Sequence, residues 1–383
     1  MVSTENLQAL ADFSIWPKAE RLPGKGYTAA VFKGWLMFRT FMVCGWWLAA
    51  LSAGVGATPM HMLAWEGRTM GTFYVVKMAG VPQDKRLATE LRDALEKRFE
   101  EINRQMSHYL PDSELARFNN NTSTAPFKVS AELAHVMRRA LELHHATAGA
   151  FDPTLGPLIN LWGFGPSGGT DKVPPGDQLA ACRARCGANH LRVTAQNELQ
   201  KDVSKLQLNL GAIAKGYAAD EATRVLRERG YANLFVSVGG EVAACGLNAE
   251  GQPWQIGIER PLYGAAPGAA LSAIVPLSGR ALSTSGDSHQ YFRDTQGRIL
   301  THILDPATGC PVQHNLASVT VIATNGLTAD ALATALFVLG PERGLRWVEA
   351  HPDIAALFII REEAGRFRLL PSTRFPAFQA LEK

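Results

Sequence analysis

Charge is scarce and nearly balanced in this sequence. Only 19% of the 383 residues are Asp, Glu, Lys or Arg, and 38 basic against 35 acidic residues give a net charge of +3. The basic residues are scattered and form no run of the kind that binds nucleic acid, so we expect no nucleic-acid partner. Internal repeats and charged low-complexity linkers are also absent, which argues for one folded body rather than separate modules.

Cysteine is rare, and two common catalytic signatures are missing. The five cysteines are Cys44, Cys182, Cys186, Cys245 and Cys310. No second Cys/His pair stands at zinc-ligand spacing, which argues against a zinc site. Cys182 and Cys186 either form a local disulfide in an oxidising compartment or lie as small buried thiols on one helix face. No Gly-x-Ser-x-Gly elbow is present, so a serine hydrolase is not expected.

The most apolar run of the sequence lies from Phe41 to Ala57. Basic residues precede it and small residues end it, and this pattern predicts a secretory signal peptide and an exported, periplasmic protein. The alternative is an uncleaved inner-membrane anchor over residues 40–57, although a membrane span needs roughly 20 apolar residues. Met37 begins a leader of conventional shape, so translation from Met37 rather than Met1 is a further hypothesis.

The remaining residues, 58–383, alternate between strand-like and helix-like patterns, which predicts one mixed α/β domain after the N-terminal segment 1–57. A Gly-, Pro- and Ala-rich stretch at 260–270 reads as a surface loop between strands. We predict strands at 71–80, 318–324 and 354–360, a hairpin at 234–246 that turns on Gly239 and Gly240, and helices at 84–107, 130–148, 212–230 and 329–339.

Two helix starts carry polar residues at useful spacings. In LNLGAIAKGYAAD (208–220) a turn leads into a helix that carries Lys215, which is either an anion site or simply a helix start. In TADALATALFVLG (328–340) Thr328 is the candidate N-cap, and Asp330 and Thr334 stand at i and i+4 on one helix face. Their oxygens suit Mg²⁺, whereas the structural alternative is a helix-dipole partner and a back-bonded hydroxyl.

Two loops contain candidate catalytic or cofactor-binding side chains. His302 precedes a turn in THILDPATGCPV (301–312) and is either a general base or a structural histidine. Ser283 to Ser285 resemble a loop rich in nucleophiles. A loop rich in Gly, Pro and aromatic residues spans 149–166, GAFDPTLGPLINLWGFGP. Either Trp162 or Phe164 packs there against an aromatic cofactor, or the loop is a rigid core crossover.

Taken in order, these segments resemble the ApbE family of FAD:protein FMN transferases. The resemblance spans about Met70 to Gly340, and it rests on eight segments in the family's order. These are MGTFYVVK, SHYLPDSELARFN, GAFDPTLGPLINLWGFGP, LNLGAIAKGYAAD, VSVGGEV, STSGD, HILDPATGCPV and ADALATAL.

The resemblance implies a T-fold-related α/β domain that moves FMN from FAD to a Ser or Thr of an acceptor protein, with Mg²⁺ as cofactor. His302 would be the base for the acceptor hydroxyl. The implied acceptor is a subunit of a membrane electron-transport complex or a redox regulator. The FAD site would be lined by Met70, Tyr109, Ala150, Phe151, Asp152, Asn209, Lys215 and Ile303, and Mg²⁺ would be held by Asp330, Thr334 and the backbone oxygen of Ala212.

Three positions depart from the family pattern. Asn209 stands where many relatives have aspartate, Ala212 replaces threonine, and Ala333 replaces a second acid found in some relatives. With fewer anionic ligands, the metal would depend on the pyrophosphate of FAD. Two alternatives to the transferase remain open: a periplasmic FAD carrier, and an FAD pyrophosphatase that uses water instead of a protein acceptor.

Overall fold

The computed structural model of the protein describes residues 60–166, 168 and 172–381. The predicted leader, its cleavage or anchoring, and the boundary between residues 57 and 58 lie outside the described residues and stay predictions. Within the described part of the chain, no helix has both the length and the apolar character that a bilayer span requires.

An eight-stranded sheet forms the centre of the domain, and all of its neighbouring strands pair antiparallel in the order β1-β2-β6-β7-β10-β15-β16-β17. Its strands are β1 (Met62–Thr69), β2 (Thr72–Ala79), β6 (Leu234–Val238), β7 (Glu241–Cys245), β10 (Arg280–Gly286), β15 (Leu316–Ala323), β16 (Ala355–Arg361) and β17 (Phe367–Pro371). Smaller sheets are formed by β3 (Phe127–Lys128), β4 (Leu191–Val193), β5 (Glu198–Lys201), β8 (Trp254–Glu259), β9 (Leu271–Leu277), β11 (Tyr291–Arg293), β12 (Ile299–Thr301), β13 (Leu304–Asp305), β14 (Cys310–Pro311) and β18 (Gln379–Ala380).

Both faces of the large sheet are buried, because its strands alternate apolar side chains between two cores. In β16, Phe358 faces the helices while Leu357 faces the opposite core, where the β8–β9 hairpin covers the sheet. The helices are α1 (Lys85–Met106), α2 (Glu114–Asn120), α3 (Ala131–Ala146), α4 (Gly156–Leu161), α5 (Gly176–Arg183), α6 (Ala214–Glu228) and α7 (Gly326–Glu349). The mixed α/β prediction is therefore confirmed.

Most predicted elements are present, with shifted ends. The hairpin at 234–246 turns on Gly239 and Gly240, whose φ angles of 63° and 101° suit glycine. Helix α6 begins at Ala214, two residues later than predicted. Loop 260–270 joins β8 to β9, as predicted.

Helix α7 corrects two predictions. Its N-cap is Asn325, whose side chain accepts a hydrogen bond from the backbone N–H of Thr328, so the assignment of Thr328 as N-cap was wrong. Gly340 does break the helical geometry, with φ 74° and ψ 176°, but helical residues resume at Pro341 and continue to Glu349. Proline suits the first turn of the second segment because its missing N–H is not needed there.

The structure also shows where Ser283 to Ser285 and the pair Cys182 and Cys186 lie. Ser283 to Ser285 lie within strand β10 rather than in a loop, and Ser283 is fully buried. The Cys186 thiol donates to the Cys182 carbonyl at 3.3 Å, and neither cysteine is in a disulfide. Burial, with the nearby Asp152 charge, raises the pKa of Cys186 to about 12. Both thiols are free and half-buried, which argues against the disulfide, but Cys186 lies beyond the end of α5, so the two thiols do not share one helix face.

Candidate functional site

A cavity of about 590 Å³ opens where the N-termini of α6 and α7 meet the β6–β7 turn and strand β10. Its volume lies within the range of small-molecule sites. The cavity brings together eleven of the twelve residues that the family resemblance assigned to the site: Tyr109, Ala150, Phe151, Asp152, Asn209, Ala212, Lys215, His302, Ile303, Asp330 and Thr334. Phe164 also lines it, whereas Trp162 packs in the small apolar cluster behind it.

Met70 lines an adjoining cavity of about 470 Å³ instead. Tyr109, Gly211 and Lys215 line both cavities, so the two spaces meet at these residues. Met70 occupies the β1–β2 turn in the left-handed region, at φ 51°. The pair of adjoining spaces suits an elongated ligand.

Lys215 lies at the floor of the main cavity between two carboxylates. Its Nζ donates to the Gly211 carbonyl at 2.7 Å and lies 3.4 Å from Glu241 Oε1 and 3.9 Å from Asp330 Oδ2. Burial would lower the pKa of Lys215, but the charges of Asp330 and Glu241 outweigh it and raise that pKa above its usual value. The lysine is therefore a fixed positive charge at the floor.

Two glycines allow α6 and α7 to cross in backbone contact. A Cβ on Gly216 would overlap the carbonyl oxygen of Gly326 and lie 2.8 Å from the Asp330 Cβ. The contact places the Gly216 N–H 3.0 Å from Asp330 Oδ2. Asp220, one turn further along α6, accepts from the N–H groups of Gly326 at 2.6 Å and Leu327 at 2.9 Å. Asp330 is therefore held by the crossing itself.

Replacing Gly216 with alanine tests this crossing. We expect Gly216→Ala to destabilise the fold by about 1–3 kcal/mol, as overpacked cores do, and to displace Asp330 from the floor. Denaturant unfolding measures the first effect, and ligand binding at the floor measures the second. Gly176→Ala is the matched control because no atom lies within 4 Å of its added Cβ. Equal stability of the two variants would contradict the close crossing.

Oxygen donors surround Asp330. The Thr334 hydroxyl lies one turn along α7 and is 3.1 Å from the Ser285 hydroxyl, while Ala212 lines the same cavity before α6 begins. The carboxylate oxygen Oε2 of Glu241 is buried without a hydrogen-bond partner. Among the described residues, no group of three or more His, Cys, Asp or Glu side chains is placed to hold a metal. The possible metal ligands around Asp330 are therefore oxygen atoms, and few of them belong to charged groups.

Asp152 and Asn209 shape the cavity wall through local hydrogen bonds. Asp152 Oδ1 accepts from the Thr154 N–H at 2.7 Å and the Thr154 hydroxyl at 2.6 Å, and its side chain is only 5% exposed. His144 donates through Nδ1 to the Phe151 carbonyl at 2.9 Å. Asn209 Oδ1 accepts from the Gly211 N–H at 2.8 Å. Since the Asp152 carboxylate already has these partners, Asp152 orders the turn beside the cavity.

His302 stands on the cavity wall with one ring nitrogen fixed. Its Nδ1 lies 3.0 Å from the Gln290 carbonyl, which only accepts, so Nδ1 carries the proton. Nε2 is then the unprotonated nitrogen. Burial lowers the pKa of His302 to about 4; the hydrogen bond to the Gln290 carbonyl opposes this shift, and the charges of Lys215 and His289 add smaller lowering contributions. The imidazole is therefore neutral at physiological pH.

Comparison with known proteins identifies the family. The ApbE family profile matches residues 70–358. The chain belongs to the ApbE family. A protein of Vibrio cholerae serotype O1 named FAD:protein FMN transferase is 41% identical over 340 residues, covering 87% of this chain and 98% of that protein.

Solved structures agree with the ApbE assignment. The flavin transferase ApbE from Vibrio cholerae superposes with a TM-score of 0.74 at 39% identity, covering 83% of this chain and 99% of that one. The apo flavinyl transferase ApbE of Pseudomonas stutzeri gives a TM-score of 0.73 at 38% identity, covering 82% and 96%. The described domain therefore has the ApbE fold.

Sequence reasoning missed several residues of this ApbE site. Glu241 lines the cavity but had no assigned role, although it lies in the segment VSVGGEV, and Ser285 was noted only as part of a loop rich in nucleophiles. A carboxylate directly after a Gly-Gly turn was the available signal for Glu241. His289 and Gln290 were not singled out because only the tertiary fold brings them beside His302.

Proposed function

We propose that this chain transfers FMN from FAD to a Ser or Thr hydroxyl of an acceptor protein and releases AMP, with Mg²⁺ as cofactor. The observation that carries the proposal is the shared cavity of Lys215, Asp330 and His302, where a fixed cation, a buried carboxylate and a neutral imidazole converge. Membership of a family whose relatives are named FAD:protein FMN transferase supports it.

The floor of the cavity fits a magnesium ion. Asp330, the Thr334 hydroxyl and the Ala212 carbonyl would hold it, and the buried, unpartnered Oε2 of Glu241 lies in the same cavity. Mg²⁺ typically takes one or two protein carboxylates and completes its shell with waters and phosphate oxygens. When bound, it would stabilise negative charge on the phosphates.

The residues of the site then have distinct tasks. Lys215 offers its positive charge to the FAD pyrophosphate, and Nε2 of His302 takes the proton of the acceptor hydroxyl. The hydroxyl oxygen forms a bond to the FMN phosphorus, while the bond from that phosphorus to the bridging oxygen breaks. That oxygen leaves with AMP. Such phosphoryl transfer depends on positioning and charge stabilisation.

The protonation state of His302 gives a separate prediction. Because burial holds its pKa near 4, we expect the ring to stay neutral at pH 6 and to become charged only near pH 4. The base form is thus present throughout the neutral range, and a loss of transfer between pH 8 and pH 6 would have another origin. Ring NMR signals followed against pH measure the midpoint, and a midpoint near 6.5 would contradict the buried setting.

Product analysis tests the proposed reaction against its two alternatives. Purified protein is incubated with FAD and Mg²⁺, with and without an acceptor domain, and FAD, FMN and AMP are separated by chromatography. The transferase predicts AMP release that depends on the acceptor, with one flavin bound covalently per AMP. Free FMN and AMP without acceptor would support the pyrophosphatase, and unchanged FAD in both samples would support the carrier.

We also propose that the protein works in the periplasm, held in or exported across the inner membrane by its N-terminal segment. The apolar run Phe41–Ala57 and the basic residues before it support this location. The acceptor would then be an exported domain of a membrane electron-transport complex or a redox regulator. Fractionation of cells that express the full chain tests it, and recovery only in the cytosol would contradict it.

A further inference from the structure

Glu241 is a buried carboxylate in the cavity floor that the proposed reaction does not use. It is 5% exposed and begins strand β7 directly after the Gly239–Gly240 turn. Its Oε1 faces Lys215 at 3.4 Å, and its Oε2 has no hydrogen-bond partner. A buried carboxylate with an unpartnered oxygen is costly and calls for an explanation.

The position of Lys215 supplies that explanation. The Lys215 ammonium donates a hydrogen bond to the Gly211 carbonyl and lies at ion-pair distance from both Glu241 and Asp330. Glu241 is nearer than Asp330, at 3.4 Å against 3.9 Å. Gly239 leaves room for this arrangement, since a Cβ there would lie 3.1 Å from the Lys215 Cδ. The two acids therefore compete for one ammonium.

The charge at the floor depends on that competition. Both acids lie beside a single lysine, and a divalent cation bound at the floor would favour the ionised form of both. Without Glu241, Asp330 is the remaining acid beside Lys215, and their pairing cancels the charge. Lys215 would then form an ion pair with the Asp330 carboxylate, which would no longer be available to the metal.

We propose that Glu241 is a positioning residue that holds the Lys215 ammonium away from Asp330 and so keeps the Asp330 carboxylate available to Mg²⁺. The inference rests on the proposed function, because it concerns the Mg²⁺ and FAD of that reaction. Glu241 itself acts through Lys215 and not as a ligand of the metal.

A double-variant experiment tests the inference. Flavin fluorescence follows FAD binding at rising Mg²⁺ concentration in Glu241→Gln, Lys215→Met and the double variant. We expect Glu241→Gln to raise the half-saturating Mg²⁺ about tenfold, the size of a modest electrostatic effect. FAD affinity without Mg²⁺ should not fall in this variant, because Lys215 remains. Lys215→Met should weaken FAD binding without raising the Mg²⁺ requirement.

The double variant decides the outcome. Without the ammonium, Asp330 has no competing partner, so the half-saturating Mg²⁺ should return towards the wild-type value. Glu241→Asp, which keeps the charge, should restore part of the loss. A double variant as poor as Glu241→Gln would overturn the inference and make Glu241 a direct metal ligand. A parallel fall in thermal stability and metal-free FAD affinity in Glu241→Gln would also overturn it, in favour of a structural role.

The proposed function and this inference fail in different ways. If the wild-type protein does not bind FAD, or binds it without any response to Mg²⁺, the proposed function fails. If the wild type responds to Mg²⁺ but the double variant is not restored, only the role of Glu241 fails.

Discussion

His302→Ala is expected to reduce FMN transfer by roughly 10²- to 10⁴-fold, the usual contribution of a positioned general base. The FAD affinity should change little, because the alanine removes the proton acceptor and leaves Lys215 and Asp330 at the floor. Single-turnover transfer to an acceptor domain measures the rate, and flavin fluorescence measures the affinity.

His135→Ala is a suitable control, since His135 is exposed on α3 and does not line the candidate site. It should transfer FMN at the wild-type rate. Unchanged transfer by His302→Ala would remove His302 from the mechanism. A large loss of FAD binding in that variant would instead make it a residue of the FAD site.

Removing the Asp330 carboxylate is the second change with a large expected effect. Asp330→Ala should abolish the response to Mg²⁺ together with transfer, and Asp330→Asn should do the same with less change of shape. A bound metal contributes several kcal/mol of charge stabilisation, so we expect a loss of roughly 10²- to 10³-fold or more. The rate is measured over a range of Mg²⁺ concentrations.

Asp330→Asn separates the effect of losing the carboxylate charge from the effect of disturbing the fold. Its side chain can still accept from the Gly216 N–H, so the crossing of α6 and α7 should survive. Asp84→Asn, at the exposed N-cap of α1, is the matched control and should be neutral. Wild-type Mg²⁺ dependence in Asp330→Asn would contradict the assignment of Asp330 to the metal.

The regular elements could be predicted from sequence because their patterns are local. Apolar residues at helical spacing identified α1, alternation along 318–324 identified β15, and the short apolar run at 354–360 identified the buried strand β16. The helix predicted at 130–148 starts where its pattern starts, with Ser130 as the N-cap of α3 that accepts from the Leu133 N–H. Such signals are carried by neighbouring residues and survive without tertiary information.

The start of α7 could not be predicted in this way. Its first N–H groups are capped by Asn325 and by Asp220, which lies more than 100 residues earlier in the chain. Thr328 was therefore the wrong choice, because a local pattern does not reveal a cap supplied by another helix. The same holds for the crossing of Gly216 and Gly326, whose need for glycine is visible only in the packed fold.

The site was predicted partly from the residues alone and partly from the family resemblance. The residues alone indicated an anion near Lys215 and oxygen ligands at Asp330 and Thr334, each with a structural alternative. The family resemblance supplied the flavin and favoured the general base over the structural histidine for His302, and the fold brings most of the named residues to one cavity. Glu241 was missed because its importance comes from its 3.4 Å distance to Lys215, which no sequence spacing encodes.

Intact mass spectrometry of an acceptor domain is the most direct test of the proposed transfer. The acceptor, carrying a candidate Ser or Thr, is weighed after incubation with the protein, FAD and Mg²⁺, and again with EDTA present. We expect a mass gain equal to FMN minus water, which is lost with EDTA and when the acceptor residue is replaced by alanine. An unchanged acceptor mass while FAD is bound or hydrolysed would contradict it.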